Sequence, residues 1–514
     1  MGNACEAERF HTRLPHHTGF SVRSADQPLL FLIKPEATIR RSHLVILAAW
    51  CGLLFVYGIA AGPLYRTESL RAIIGRECLQ GEWLFPVLYG EPFLTKPPGH
   101  YAAIGVCSLP FGHVTVATAR IPSVLAATCA VFLVYGLFRR AIDERAALLA
   151  ALLLPASVLW LDKVPSAEID MTLVGWVTAA LVLVHRAIER QSASCWILAL
   201  LCVAAGTLTK WTAPAFFYLT VVPLCLWRGE LRVLFGWRHL LACGIAAFVC
   251  AGWVFAVSQQ IGWESLADTV RKEALYRFSA KPSAKGVYPW AGVATYPLLV
   301  FVAHLPLSLF ALVTFRPSFW AQWDDRGKRL LQLLHCWAWP NLLFWTLVPN
   351  HNVRYALPMS PALMGLGVMG LLGMLRGGSI NPRWVKIGIA AFLTTWLAVK
   401  VAFVEYVVQN RATKYNPIPA ATTLRAHVPE NEPLYLFRLK DEGVMFSFGR
   451  RAIRLHHPQN LPAGAFAVLL RQEWEDRPSF GHLDVVTWMH DQQGDAIVLV
   501  RSPVADSIGG TPRE

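Results

Sequence analysis

Two short motifs carry residues that can do chemistry. Glu68 stands in Tyr65-Arg66-Thr67-Glu68-Ser69-Leu70-Arg71, and Lys96 stands in Leu94-Thr95-Lys96-Pro97-Pro98. A carboxylate held at a membrane surface can act as general base toward an acceptor hydroxyl. The same residue has an ordinary reading: Thr67 suits a helix N-cap, and an acid in the first turn favours the helix dipole. Two prolines fix the backbone after Lys96 and disfavour a helix there, so the ammonium group is aimed reproducibly. A cation in that place stabilises a departing phosphate as charge develops on it. The plain alternative is a lysine snorkelling to the interface.

Four further places offer partners. Glu168 and Asp170 open an apolar run in Ser166-Ala167-Glu168-Ile169-Asp170-Met171. On a helix, carboxylates two apart point about 200° away from each other, so one site cannot take both equally. An acid at the bilayer centre costs roughly 2.5–3.5 kcal/mol and is seldom kept without use. Asp170, the deeper, is expected to assist catalysis, and Glu168 to be solvated. Lys210, in Thr209-Lys210-Trp211, is either a turn cation or a helper in phosphate binding. Arg277 closes a basic loop containing Arg271, Lys272, Lys281 and Lys285, and its guanidinium fork suits phosphate oxygens. Arg354 and Tyr355, near His351 in a tight link, are expected to contact a phosphate or sugar, although Tyr355 also fits an interfacial aromatic belt.

These residues need a scaffold, and the composition states its class. Of the 514 residues 55% are hydrophobic and 16% charged, and the mean hydropathy is +0.41. A soluble chain would carry about 25% charged residues. Repeated apolar runs of about 20 residues match a ~30 Å hydrocarbon layer. They fall at 44–62, 119–138, 146–162, 168–185, 194–209, 212–227, 239–258, 290–315, 330–348, 355–375 and 387–408. The expected fold is a polytopic α-helical membrane protein with about 11–13 transmembrane helices.

The net charge of +14 is a matter of topology: 21 of the 47 Lys and Arg fall in residues 1–43, 139–145, 186–190, 228–238, 316–329 and 376–386. That is the positive-inside bias, and it argues against nucleic acid as a partner. It places the N-terminus in the cytosol, and the loops 63–118 and 259–289 and the tail 411–514 outside. The tail has short β-rich runs at 434–439, 452–455, 465–470, 485–488 and 496–500, with a turn at Gln492-Gln493-Gly494-Asp495. A small extracytoplasmic α/β domain without a catalytic cluster is expected there. The three parts are a cytosolic tail (1–43), a membrane domain (44–410) and the outer domain (411–514). Leu70, Ile73, Ile74 and Cys78 recur at helical spacing, which predicts a helix lying flat on the bilayer. The eleven cysteines show no CxxC pattern or Cys/His metal spacing, so no metal site is expected.

The first-loop motif, the Lys-Pro-Pro corner and Arg354-Tyr355-Ala356-Leu357-Pro358 together resemble the GT-C superfamily of glycosyltransferases. The nearest likenesses are the dolichyl-phosphate-mannose protein mannosyltransferase-like and lipid A aminoarabinose transferase-like families, over about residues 44–410. The resemblance implies transfer of a sugar from a polyprenyl-phosphate carrier, with inversion, on the outer face of the inner membrane. It implies Lys96 and Arg277 at the carrier phosphate, Asp170 as the acid of a later outer-face span, and Tyr355 before Leu-Pro. Those families carry an Asp-Glu pair in the first loop where this chain has Thr67-Glu68, which implies that Glu68 takes the catalytic role, or that Thr67 only orients the sugar. No cofactor is implied beyond the lipid-linked donor; the acceptor is a glycan, lipid or protein.

On this reading Glu68 and Lys96 share one cavity at the outer rim. Two alternatives stand beside it. A secondary transporter or flippase predicts paired repeats and mid-span charges. A degenerate relative would bind the lipid carrier without chemistry, as Thr67 allows.

Overall fold

Each apolar run forms helix in the computed structural model, which describes residues 40–278, 290–349, 352–439 and 441–503. The site lies wholly within the compact unit Val45–Glu514. Five of the described helices are long and apolar enough to cross a membrane: Val116–Ala141, Ile169–Arg190, Trp237–Ile261, Val353–Arg376 and Pro382–Lys414. Trp290–Ala303 and Leu307–Phe315, bent by 106°, make a sixth if taken as one span.

The other runs give shorter or interrupted helices. Ala193–Thr207 and Ala213–Arg228 have 15 and 16 residues, about 22–24 Å at 1.5 Å per residue, less than the hydrocarbon thickness. The run 146–162 breaks at Pro155, which cannot continue a helix. It yields Glu144–Leu153 and then Val158–Lys163, restarted by Ser157 accepting from Trp160 N–H at 3.4 Å. Interrupted backbone at membrane depth is tolerated where it lines a cavity, and Val158–Lys163 does so.

The five β-rich runs form one mixed sheet. After a two-residue hairpin pair in the first loop, β1 (Val87–Leu88) and β2 (Glu91–Pro92), the tail contributes five strands. These are β3 (Leu434–Leu436), β4 (Ala452–Arg454), β5 (Phe466–Leu470), β6 (Asp484–His490) and β7 (Ala496–Arg501). Their order is β4-β3-β5-β7-β6, with β3 parallel to both neighbours and β7 antiparallel to both of its own. The β6–β7 turn closes where Asp491 N–H donates to the Asp495 carbonyl at 2.8 Å.

The first-loop helix, Thr67–Leu79, does not lie flat on lipid as its spacing predicts. Ile73 and Ile74 are fully buried, and with Cys78 they join the core of the sheet domain, beside Leu424, Val444 and Phe448. An apolar helical stripe needs an apolar partner, and protein meets that need as well as acyl chains do. The sheet domain therefore sits on the loop that carries Glu68. Arg454 N–H donates to the Tyr89 carbonyl at 3.0 Å, which ties the β1–β2 hairpin to the same sheet.

Candidate active site

A cavity of about 650 Å³ opens where the first loop, Val158–Lys163, the start of Ile169–Arg190, the 352–354 turn and the end of Pro382–Lys414 meet. Its polar lining includes Tyr65, Arg66, Thr67, Glu68, Arg120, Glu168, Asn352 and Arg354. Its apolar lining includes Val158, Leu159, Leu161, Phe403, Val404 and Val408.

Glu68 reaches this cavity, but all its acceptor positions are occupied. Arg120 Nε donates to Oε1 at 3.0 Å and Arg120 Nη2 to Oε2 at 3.1 Å. Backbone N–H groups of Ala167 and Tyr65 complete it at 2.7 and 2.9 Å. A carboxylate has about four lone-pair sites, so Glu68 keeps none for an incoming hydroxyl. Arg120 also donates to the carbonyls of Ile59, Ala61 and Pro63 at 2.9, 2.9 and 3.3 Å. The pair thus staples the end of the first apolar helix to the helix Val116–Ala141. The turn it holds is strained: Arg66 has φ +54° and ψ −124°, a region that a side chain makes costly.

Glu168 is not solvated, contrary to its sequence reading; it is 5% exposed and lines the cavity. It is the N-cap of Ile169–Arg190, with extended φ −103° and ψ 131°. The helical rotation that would separate it from Asp170 therefore does not apply to it. Thr67 Oγ1 donates to Glu168 Oε1 at 3.0 Å, and Arg71 Nη1 pairs with Oε2 at 2.8 Å. Arg71 also donates to Thr67 Oγ1 at 2.9 Å. Arg354 spans both acids, 3.4 Å from Glu168 Oε2 and 3.7 Å from Asp170 Oδ2.

Asp170 lies behind this wall instead of on it. It is 2% exposed and pairs with the buried Lys210, whose ammonium lies 4.5 Å from the Tyr355 ring centre. Asp170, Lys210 and Tyr355 are brought together, yet none of them lines the cavity. Burial explains why: an acid so deep needs a cation, and Lys210 supplies it. Nearby, His100 Nδ1 is 2.8 Å from Thr172 Oγ1. Burial, then the charge of Arg71, pushes the His100 imidazole down to about 3, so it is neutral at ordinary pH.

Lys96 departs from expectation too. It does not line the cavity that Glu68 lines; its Nζ donates to the Thr95 carbonyl at 2.6 Å. The prolyl corner after it turns toward the Lys210 loop, where Gly99 N–H donates to the Leu208 carbonyl at 2.8 Å. A Cβ at Gly99 would stand 2.7 Å from Thr209 Oγ1 and 2.8 Å from that carbonyl, so only glycine fits. Arg277 falls in the helix Trp263–Phe278, but its side chain lies outside the described residues, as do Lys281, Lys285 and His351.

Residues that sequence reasoning passed over complete the site: Arg71 behind Glu168, Arg120 at Glu68, Asp162, Lys163, Lys400 and Arg411 in the cavity lining, and Gln492 from the sheet domain. Gln492 Nε2 donates to the Tyr415 carbonyl at 2.9 Å. A signal for Arg120 and Lys400 was available, since a lone cation in an apolar run requires an anion from elsewhere.

Residues 95–255 match the family model described as dolichyl-phosphate-mannose-protein mannosyltransferase. The chain is similar in structure to ArnT from Cupriavidus metallidurans, whose crystal structure holds undecaprenyl phosphate. The two are 18% identical with a TM-score of 0.71, over 92% of this chain and all of that one. The chain has the GT-C fold. It is an integral membrane protein with a mannosyltransferase-like stretch at residues 95–255 and an ArnT-like architecture. The apo form of the same ArnT gives 18% identity and a TM-score of 0.67, over 89% of this chain and 98% of that one. An Archaeoglobus fulgidus oligosaccharyltransferase is 13% identical with a TM-score of 0.48, over 84% of this chain and 69% of that one. No curated protein matches the chain in sequence.

Proposed function

We propose that this GT-C protein moves a sugar from a polyprenyl-phosphate carrier to an acceptor at the extracytoplasmic face of the inner membrane. One observation carries the reading: a single cavity is lined both by a carboxylate held by two arginines and by apolar side chains. That pairing suits an isoprenoid chain joined to a phosphosugar.

Glu168, not Glu68, is the carboxylate we assign to the acceptor's proton. It faces the cavity, and its oxygens are held by a hydroxyl and two guanidinium groups at 2.8–3.4 Å. Glu68 is a positioning residue that fixes the first loop through Arg120. Asp170 holds Lys210 and tilts Arg354, which would meet the phosphate as charge develops on the leaving oxygen. Attack on the anomeric carbon from the face opposite the phosphate inverts its configuration. The proton goes to Glu168 and the phosphate leaves on the carrier, so no further reactant is required.

The test is transfer from a labelled polyprenyl-phosphate sugar in proteoliposomes. Glu168→Gln should lower turnover by about 10²–10⁴. Wild-type turnover in that variant would refute the assignment.

A further inference from the structure

The basic side chains on the cavity wall are not equivalent. Arg120 is engaged by Glu68 and three carbonyls. Lys163 and Arg411 share Asp162, each at 3.0 Å. Arg354 lies between Glu168 and Asp170, and the exposed Arg66 rests 4.9 Å from the Tyr65 ring centre. Lys400 differs from all of these. It is 1% exposed, it lines the cavity, and its ammonium has no hydrogen-bond partner among the described residues.

An ammonium group has three donors and no acceptor. Burying it unpaired is among the most unfavourable arrangements a protein can keep, and in a membrane-spanning helix it marks a functional place. Lys400 stands in the last turn of Pro382–Ala402, directly before the π-helical segment Phe403–Val408. Phe403, Val404 and Val408 of that segment supply apolar wall beside it. The group that completes Lys400 must therefore bring anionic oxygens into the cavity while its remainder stays apolar.

We propose that Lys400 is a phosphate-binding residue, taking the phosphate group of a membrane lipid that enters this cavity. The inference rests on reading the cavity as a lipid-phosphate site. It adds a cation on the Pro382–Ala402 helix to those that the sequence motifs supply. A phosphate could arrive on the polyprenyl carrier or on a phosphorylated acceptor lipid; the chemistry met by Lys400 is the same.

The experiment measures binding to the full chain in nanodiscs, with decaprenyl phosphate, decaprenol and phosphatidic acid as probes and tryptophan fluorescence as readout. Lys400→Met should weaken decaprenyl phosphate by about tenfold or more, the size expected for a charged hydrogen bond. It should leave decaprenol unchanged, which also shows that the variant is folded. Lys400→Arg should restore most of the phosphate affinity. Weakening confined to phosphatidic acid keeps the phosphate site and assigns it to the acceptor lipid. Unchanged affinity for both phosphates in Lys400→Met overturns the proposal. Because the readout is binding, a protein that loses phosphate affinity with Lys400→Met yet shows no sugar transfer refutes the transferase reading alone.

Discussion

Removing Arg120 should unlatch the first loop. Arg120 and Glu68 are 5% and 4% exposed and share two hydrogen bonds at 3.0 and 3.1 Å, so solvent screening is slight. Arg120→Met leaves Glu68 charged, buried and held only by two backbone N–H groups. It also strips donors from the carbonyls of Ile59, Ala61 and Pro63. Breaking a buried pair from one side costs about 3–5 kcal/mol. In local opening that is roughly a 10²- to 4 × 10³-fold rise in exchange. Hydrogen exchange of the Tyr65 and Ala167 amides, both donors to Glu68, reads it directly. Adding Glu68→Gln should recover part of the loss, because the uncompensated charge is gone. Protection unchanged within a factor of about three in Arg120→Met, or no recovery in the double variant, would refute the stapling role.

Three other outcomes follow from the geometry. Gly99→Ala should cost about 1–3 kcal/mol and displace the Lys96 corner from the Leu208 turn, read as lowered thermal stability and faster exchange at Gly99. Ile74→Ala, at a fully buried contact with the sheet domain, should cost roughly 2–5 kcal/mol and expose the 411–503 segment to limited proteolysis. His100 is neutral in the fold, with its value near 3 against 6.5 in the free side chain. Between those values the unfolded chain binds the extra proton, so stability rises with pH and is lost as pH falls from 6.5. His100→Asn should flatten that slope between pH 6.5 and 4.5 in thermal unfolding.

The helices and the sheet were readable because their signals are local. Apolar runs became helices, and the alternation in 434–500 became β3 to β7 in the expected places. The run 146–162 was read as one span, although Pro155 within it was the available signal for the break before Val158–Lys163. The site was less readable because its contacts are long-range and its backbone departs from regular geometry. Glu168 was misread by assuming helical rotation for a residue that is an extended N-cap. Glu68 looked like a free base until Arg120, 52 positions away, was seen to saturate it. Ile73 and Ile74 form an apolar stripe whose partner, protein or lipid, is set by a domain some 350 residues later. Lys96 followed its Pro-Pro corner toward Leu208, a direction fixed by the Gly99 contact, which motif spacing does not reveal.

On this reading the lipid phosphate is received in the cavity lined by Glu168, Arg354 and Lys400. A cryo-EM structure of the full chain in nanodiscs with decaprenyl phosphate tests this. Phosphate density is expected within hydrogen-bond distance of Lys400 or Arg354, with the prenyl chain against Phe403, Val404 and Val408. Phosphate density at Lys96 with this cavity empty would contradict it.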